Sequence, residues 1–229
     1  MEAPLGAGAR EALTFRPARA DDAAAAAPLV FASGEREFGF FLGVAPQACI
    51  AFLQYAFALS AGRFSWRRHR VVVNAVGQVV GVLAAHDGRD ILPDDPHIAW
   101  TLMRYFGVWR TVPMLLRGLV LEQELPKPKR SQTLVAHCAV AAATRGQGVF
   151  SALFGDAQQA AMRGFSTGGS QEQGSREILL DVLVSNTRAA ALYRRLGFVD
   201  VPRRRPPSRR LPAELESIRM RFDPSKTRR

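Results

Sequence analysis

Apolar residues recur along this chain in two rhythms. Short β-branched or aliphatic runs alternate with stretches whose apolar residues fall three or four apart, and that alternation predicts a mixed α/β domain. Leu13 to Arg16 reads as a short strand ended by Pro17. Asp21 or Asp22 stands where it can cap an Ala-rich helix running to about Ala32, with Pro28 placed to break or kink it. A second helix is expected from Pro46 to about Ala61, with Ile50, Leu53 and Phe57 on one face. The run Val71, Val72, Val73 then reads as a strand, and Val76-Gly77 turns the chain into another, Val79 to Ala85.

The segment from Asp87 to Ser131 is too long for a plain connection in a compact domain. Its apolar residues, among them Leu102, Phe106, Trp109, Met114 and Leu119, favour helices, so it is expected to be a helical insertion ended by the prolines that follow Leu125. Thr133 to Val140 follows as a buried strand, Val149 to Met162 as a helix, and Ile178 to Val184 as a second buried strand. Residues 164–175, rich in Gly, Ser and Gln, read as a flexible loop. Thr187 to Leu196 is a helix closed by Gly197, and Phe198 to Val201 and Leu215 to Phe222 supply the last strands.

No repeat of solenoid or propeller length is visible. The reading is a loose tail over 1–10, one domain over 11–222 with 87–131 as its insertion, and a basic tail over 223–229. A chain of 229 residues that is 48% hydrophobic and 22% charged buries a core without disulfides or a metal. Cys49 and Cys138 lie far apart in no metal-ligand spacing, which excludes a secreted disulfide framework, implies no metal and fits a reducing cytoplasm. The start of the chain lacks the basic and apolar regions of a signal peptide. The most apolar stretch, Ala48 to Ala61, is interrupted by Gln54 and well short of the ~20 residues a membrane span needs, so no membrane partner is expected.

The net charge of +11 is uneven: from Val201 to Arg229 ten Lys or Arg face three acids, so seven of the eleven excess charges lie there. Such a segment attracts phosphates, nucleic acid or an acidic partner, or is a solvated tail. A nucleic-acid or ribosome contact is not favoured, because the Arg203 to Arg210 run is interrupted by prolines and has no interleaved aromatic platform.

Two segments carry candidate chemistry. In the first, a buried strand ending at Val140 leads through Arg145-Gly146-Gln147-Gly148 into a helix. A Gly-containing turn at a helix N-terminus presents free N–H groups and a positive dipole end to an anion. It has neither the Lys-Ser/Thr of a P-loop nor the glycine spacing of a dinucleotide fingerprint. In the second, Leu180-Asp181-Val182-Leu183-Val184-Ser185-Asn186 is followed by Ala189, Leu192-Tyr193 and Leu196-Gly197-Phe198.

That second segment, a strand ending in Asn and then A-x-x-L-Y-x-x-L-G-F, resembles motif B of the GNAT acetyltransferases, and Arg145 to Phe150 resembles their motif A, the R-x-x-G-x-G/A pyrophosphate loop. With Gly77-x-x-Val80-Gly81 and the opening Phe15-Arg16-Pro17-Ala18, the resemblance covers about residues 13–90 and 133–222. It implies a GNAT fold: a central mixed, mostly antiparallel twisted sheet of about seven strands, helices on both faces, and the helical insertion before the fourth strand. It further implies an N-acetyltransferase that uses acetyl-CoA as co-substrate and no metal, with a primary amine of a small molecule or a protein as acceptor.

Carried over by position, the resemblance implies that the backbone of Ala139 and Val140 pairs with the pantetheine arm. The N–H groups of Arg145, Gly146, Gln147, Gly148, Val149, Phe150 and Ser151 would surround the pyrophosphate, and Asn186 and Tyr193 would line the gap between two splayed strands. Phe150 departs from the motif's Gly or Ala: its side chain either packs in the core or crowds the phosphates.

Tyr193 stands at the family's general-acid position, able to protonate the departing thiolate, with a buried structural tyrosine as the plain alternative. Asp181 stands where ribosomal-protein N-terminal acetyltransferases carry a glutamate base, with a structural carboxylate as its alternative. Leu134 replaces the glutamate of histone-type members, and His137 and His86 are further base candidates. The insertion forms either the acceptor pocket or a core or homodimer contact. Three readings therefore compete: an amine acetyltransferase, a non-catalytic CoA-binding or association module, and a ribosome- or RNA-associated protein.

Overall fold

The computed structural model describes residues 12–89, 94–166, 176–203 and 206–226. The expected tail over 1–10 and most of the expected loop, from 167 to 175, lie outside the described residues, as do Arg204 and Arg205. Seven strands form one sheet: β1 Thr14–Pro17, β2 His69–Val73, β3 Val79–Asp87, β4 Gln132–Val140, β5 Glu177–Leu183, β6 Phe198–Asp200 and β7 Ser217–Phe222. They lie in the order β1-β2-β3-β4-β5-β7-β6. The pairing of β4 with β5 is parallel and all the others are antiparallel.

Alternation along the strands divides the core into two layers. Val71, Val73 and Val82 face the first layer, made by α1 Ala23–Ser33, α2 Glu35–Leu42, α3 Pro46–Ala58, α4 Asp94–Phe106 and α5 Val108–Glu124. Val72, Val80, Leu83 and Val135 face the second, closed by α6 Val149–Ser166 and α7 Thr187–Arg195. The expected insertion is thus the helix pair α4 and α5, packed on each other.

Several elements differ from the sequence reading. α1 runs unbroken through Pro28, whose ring lies on the exposed side of the helix, at the loss of one helical hydrogen bond. The Asp22 carboxylate does not cap α1. It accepts from the Arg19 N–H at 2.7 Å and from the Arg16 guanidinium at 2.7 and 2.8 Å, tying the strand end to the helix start. α3 ends at Ala58 rather than Ala61, and α6 runs to Ser166 rather than Met162. α2 was not expected, because eight residues between Gly34 and Gly43 with Gly39 inside carry little helical propensity. Tertiary burial of Phe38 and Leu42 sustains it.

α5 is clamped at two points. Gly43, at φ 63°, ends α2 and leaves the space a Cβ would fill to Arg117, which donates to the carbonyls of Phe41 and Leu42 at 3.0 and 2.8 Å. At the other end the Glu124 carboxylate, almost wholly buried, accepts from the Ser217 N–H at 2.8 Å and pairs with Arg203. Burial alone would raise its pKa, but these partners outweigh it and hold the carboxyl below its usual range.

Two irregularities in β4 open the sheet at its centre. Pairing with β5 runs from Gln132↔Glu177 only to Val135↔Leu180 and stops, so the two strands part beyond that point. Between Ala136 and Ala139 two β4 residues, His137 and Cys138, oppose the single Leu83 of β3, a β-bulge with His137 at φ 52°. The bulge breaks the alternation and sends His137 to the same side as Ala136, toward α1–α5.

Candidate active site

The glycine turn lies where β4 ends and α6 begins. Gly146 and Gly148 adopt φ of 80° and 79°, and nothing stands within 4 Å of where a Cβ on either would be, so the turn is open on that side. Among the described residues Gly146, Gln147 and Gly148 donate no N–H to a backbone carbonyl. The N–H groups of Val149, Phe150 and Ser151 form the first turn of α6 and have no acceptor within the helix. Arg145 differs from the expectation: its N–H donates to the Ala142 carbonyl at 3.3 Å. The Gln147 side chain closes the turn by donating to the Ala143 carbonyl at 2.9 Å. The Phe150 side chain points into the second core layer, where it meets Phe154 and Tyr193 with ring centroids at 6.5 and 5.8 Å, leaving the turn clear.

Tyr193 is buried on α7, framed by Phe150 and Phe198. Its phenol lies beside the Cys138 thiol. Burial and Cys138 together hold the phenol well above its usual range, so it keeps its proton, and burial pushes the thiol up to about 12. Tyr193 therefore sits against the bulge of β4. Ala139 and Val140 continue β4 past the bulge, paired with β3 through Val82 and Gly81 on one edge and beyond the last β5 pair on the other. Asn186 caps α7, its Oδ1 accepting from the Ala189 N–H at 3.1 Å.

On the opposite side of the sheet a cavity of about 540 Å³ lies between α2, α5 and β4. Its floor is Leu134 to His137, the stretch of β4 where the β5 pairing ends. The walls are mainly apolar, from Phe38, Phe41, Phe64, Ile98, Leu115 and Leu119, and Asp181 also reaches it. Both Asp181 oxygens accept from Arg219 at 2.8 Å, and Arg219 donates a further bond to the Pro126 carbonyl. Burial raises the Asp181 pKa while the guanidinium opposes the rise.

Three histidines from three strands meet here. Nδ1 of His69 lies 2.8 Å from the Ser65 carbonyl, which only accepts, so that nitrogen carries the hydrogen. His69 Nε2 is then the acceptor for the Nδ1–H of His137 at 2.9 Å, and His137 is left with a lone pair on Nε2. The two rings stack at 5.1 Å, and His86 meets His137 edge-on at 5.6 Å. Burial keeps all three neutral, with His69 lowered to about 4 and the other two well below their usual value. Among the described residues no group of three His, Cys, Asp or Glu is arranged to hold a metal ion.

Among the described residues three buried side-chain atoms have no hydrogen-bond partner: both ring nitrogens of His86 and Oε2 of Glu37. Both residues line the cavity. Glu37 was not found in the sequence because the helix that carries it was not, and His69 reads there only as a residue before the Val71 run.

No protein-family model matches the sequence, and no curated protein matches it. Solved structures match along nearly the whole chain. An N-acetyltransferase from Staphylococcus aureus Mu50 aligns over 91% of this chain and 100% of its own with a TM-score of 0.64 at 16% identity. An acetyltransferase crystal structure aligns over 92% and 98% with a TM-score of 0.61 at 18% identity. An acetyltransferase of the GNAT family from Staphylococcus aureus Mu50 aligns over 92% and 98% with a TM-score of 0.50 at 10% identity. The chain has the GNAT fold.

Proposed function

We propose that the protein is an acetyl-CoA-dependent N-acetyltransferase that moves an acetyl group to a primary amine by direct attack in a ternary complex. The observation that carries this reading is the opening of β4 from β5 beyond Val135, flanked by the open glycine turn on one side and by Tyr193 at the bulge. The turn fits a pyrophosphate: unbonded N–H groups, the positive end of an 18-residue helix and a space free of side chains converge there. Gly146, Gln147, Gly148, Val149, Phe150 and Ser151 would hold the phosphates through the backbone, and Ala139, Val140 and Asn186 would flank the arm. Acetyl-CoA, when bound, supplies the acetyl group as a thioester.

Tyr193 is read as the general acid. A phenol kept protonated by burial can give its proton to the leaving sulfur, and the backbone released by the bulge can donate to the carbonyl oxygen. Asp181 is the base that the resemblance carries. It must first open its pair with Arg219, and Asp181→Asn tests whether it does.

The other two readings lose support. Phe150, the feature behind a non-catalytic module, packs in the core away from the turn. Of the basic C-terminal segment, Arg203, Arg219 and Arg221 pair with Glu124, Asp181 and Glu177, so three cations that a nucleic acid would need are already engaged. The free thiols Cys49 and Cys138 suit a reducing compartment such as the cytoplasm. No single helix among the described residues is long and apolar enough to cross a membrane. Calorimetry with acetyl-CoA tests the proposal: micromolar binding is expected, and no detectable binding overturns it.

A further inference from the structure

The acceptor side of the sheet narrows the class of amine. The cavity walls are aromatic and aliphatic, yet a carboxylate oxygen and an imidazole stand in them without partners. The other charged residues of the lining are engaged. Glu122 pairs with Lys127 at 3.1 Å, Asp181 pairs with Arg219, and Arg63 makes an interaction of its own. A buried polar group left unsatisfied destabilises a fold, so the unpartnered Glu37 oxygen calls for a ligand that satisfies it. Glu37 is also well placed in the chain: Arg36, its neighbour, donates to the Ser185 hydroxyl at 3.2 Å just past β5, so α2 spans from the parted end of β5 toward β4. Phe38, the next residue, packs against His137 with ring centroids at 5.9 Å.

Resting on the acetyltransferase reading, we propose that this cavity is the acceptor site for a primary amine carried on an apolar body, its ammonium taken by the Glu37 carboxylate and its N–H received by the Nε2 lone pair of His137. His69 and the Ser65 carbonyl act as positioning groups, since they fix which nitrogen of His137 is free. In apolar surroundings a carboxylate and an ammonium lower their energy by sharing a proton into the neutral pair, and burial already pushes the Glu37 carboxyl up.

The transfer balances. Glu37, in place of the Asp181 that the resemblance implies and that Arg219 holds, takes one proton from the ammonium, and the freed nitrogen pair forms the C–N bond to the acetyl carbon as the C–S bond breaks. Tyr193 gives its proton to the sulfur, and the second hydrogen the nitrogen loses passes to His137 Nε2 and from there, through water, restores the phenol. Ammonium and acetyl thioester thereby yield amide, thiol and one proton released from Glu37 to water.

The test is a thiol-release assay on the full chain with four acceptors: 2-phenylethylamine, n-hexylamine, spermidine and a lysine-containing peptide. The first two are expected to exceed the last two in kcat/KM by at least about 10-fold, because the polar acceptors leave donors unpaired against apolar walls. Glu37→Gln is expected to lower kcat/KM for 2-phenylethylamine by about 100-fold or more while leaving the acetyl-CoA Kd unchanged. Its melting temperature should hold or rise, since a buried unpartnered charge is removed. The inference fails alone if acetyl-CoA binds but the polar acceptors are preferred, or if Glu37→Gln keeps its rate. If acetyl-CoA does not bind, the acetyltransferase reading falls. Calorimetric binding of 2-phenylethylamine to the wild type, lost in Glu37→Gln, would then still assign the amine site, and its absence would overturn that as well.

Discussion

The two faces of the one sheet are built differently. On the α6 and α7 side the core is hydrocarbon and aromatic ring, with Phe154, Phe198 and Phe222 in mutual contact, Phe150 against Phe154, and Tyr193 as the polar group among them. On the side of α1 to α5, an apolar cluster of similar size encloses three neutral histidines, two of them bonded to each other, and a carboxylate with one oxygen unpartnered. The first face can afford to be closed because its recognition is done by backbone at a turn, outside the packed layer. The second keeps polar atoms inside the packing, where they cost stability until something binds. Recognition by backbone leaves a core intact, and recognition by buried side chains does not.

This contrast can be broken by experiment. The largest effect is expected from Tyr193→Phe, which removes one oxygen from the closed face. Turnover should fall about 100-fold or more with the acetyl-CoA Kd unchanged within roughly two-fold, read by thiol release and calorimetry. Equal turnover would return Tyr193 to a packing role.

Acid should act on the other face. His69 is held at about 4 in the fold against about 6.5 in the unfolded chain. The unfolded state therefore binds more protons in that window, so the stability contribution is complete above pH 6.5 and is lost as pH falls toward 4. Unfolding free energies from urea titrations at pH 7 and 4.5 should differ by about 2 kcal/mol or more. His86 and His137, also held low by burial, add to the same dependence, so His69→Gln should reduce it without abolishing it. The paired carboxylates Asp22 and Glu124, held below their usual ranges, titrate only at lower pH and do not mimic the effect. The smallest change is expected from Gly146→Val. A β-branched residue at φ 80° is strained by about 1–2 kcal/mol, which should weaken acetyl-CoA binding by roughly 10-fold and leave the KM of the acceptor where it was.

The same contrast decides what could be read in advance. The strands, the helices α6 and α7 and the glycine turn follow from local pattern, because each is specified by residues adjacent in sequence. Phe150 resolves to the core through helical spacing with Leu153 and Phe154. The fold and its GNAT character were legible for this reason. The acceptor side was not. α2 is held by tertiary burial against its own propensity, so Glu37 carried no local signal, and the cavity is a space between elements that are distant in the chain. His86 and His137 could be named singly, but their meeting with His69 depends on a bulge that alternation does not announce.

That bulge also makes β4 a jointed strand. Because one extra residue is absorbed between Ala136 and Ala139, the half of β4 that floors the cavity and the half that continues to the glycine turn keep independent registers against β3. Substitutions from Gln132 to Ala136 can therefore be recombined, in evolution or in a library, without resetting Ala139 and Val140. A one-residue deletion at the joint would remove the bulge and join the halves in a single regular register, with the faces of both halves kept and only the turn of His137 toward the cavity lost. The strand behaves as two exchangeable cassettes, which gives a route for changing the acceptor while the donor stays the same.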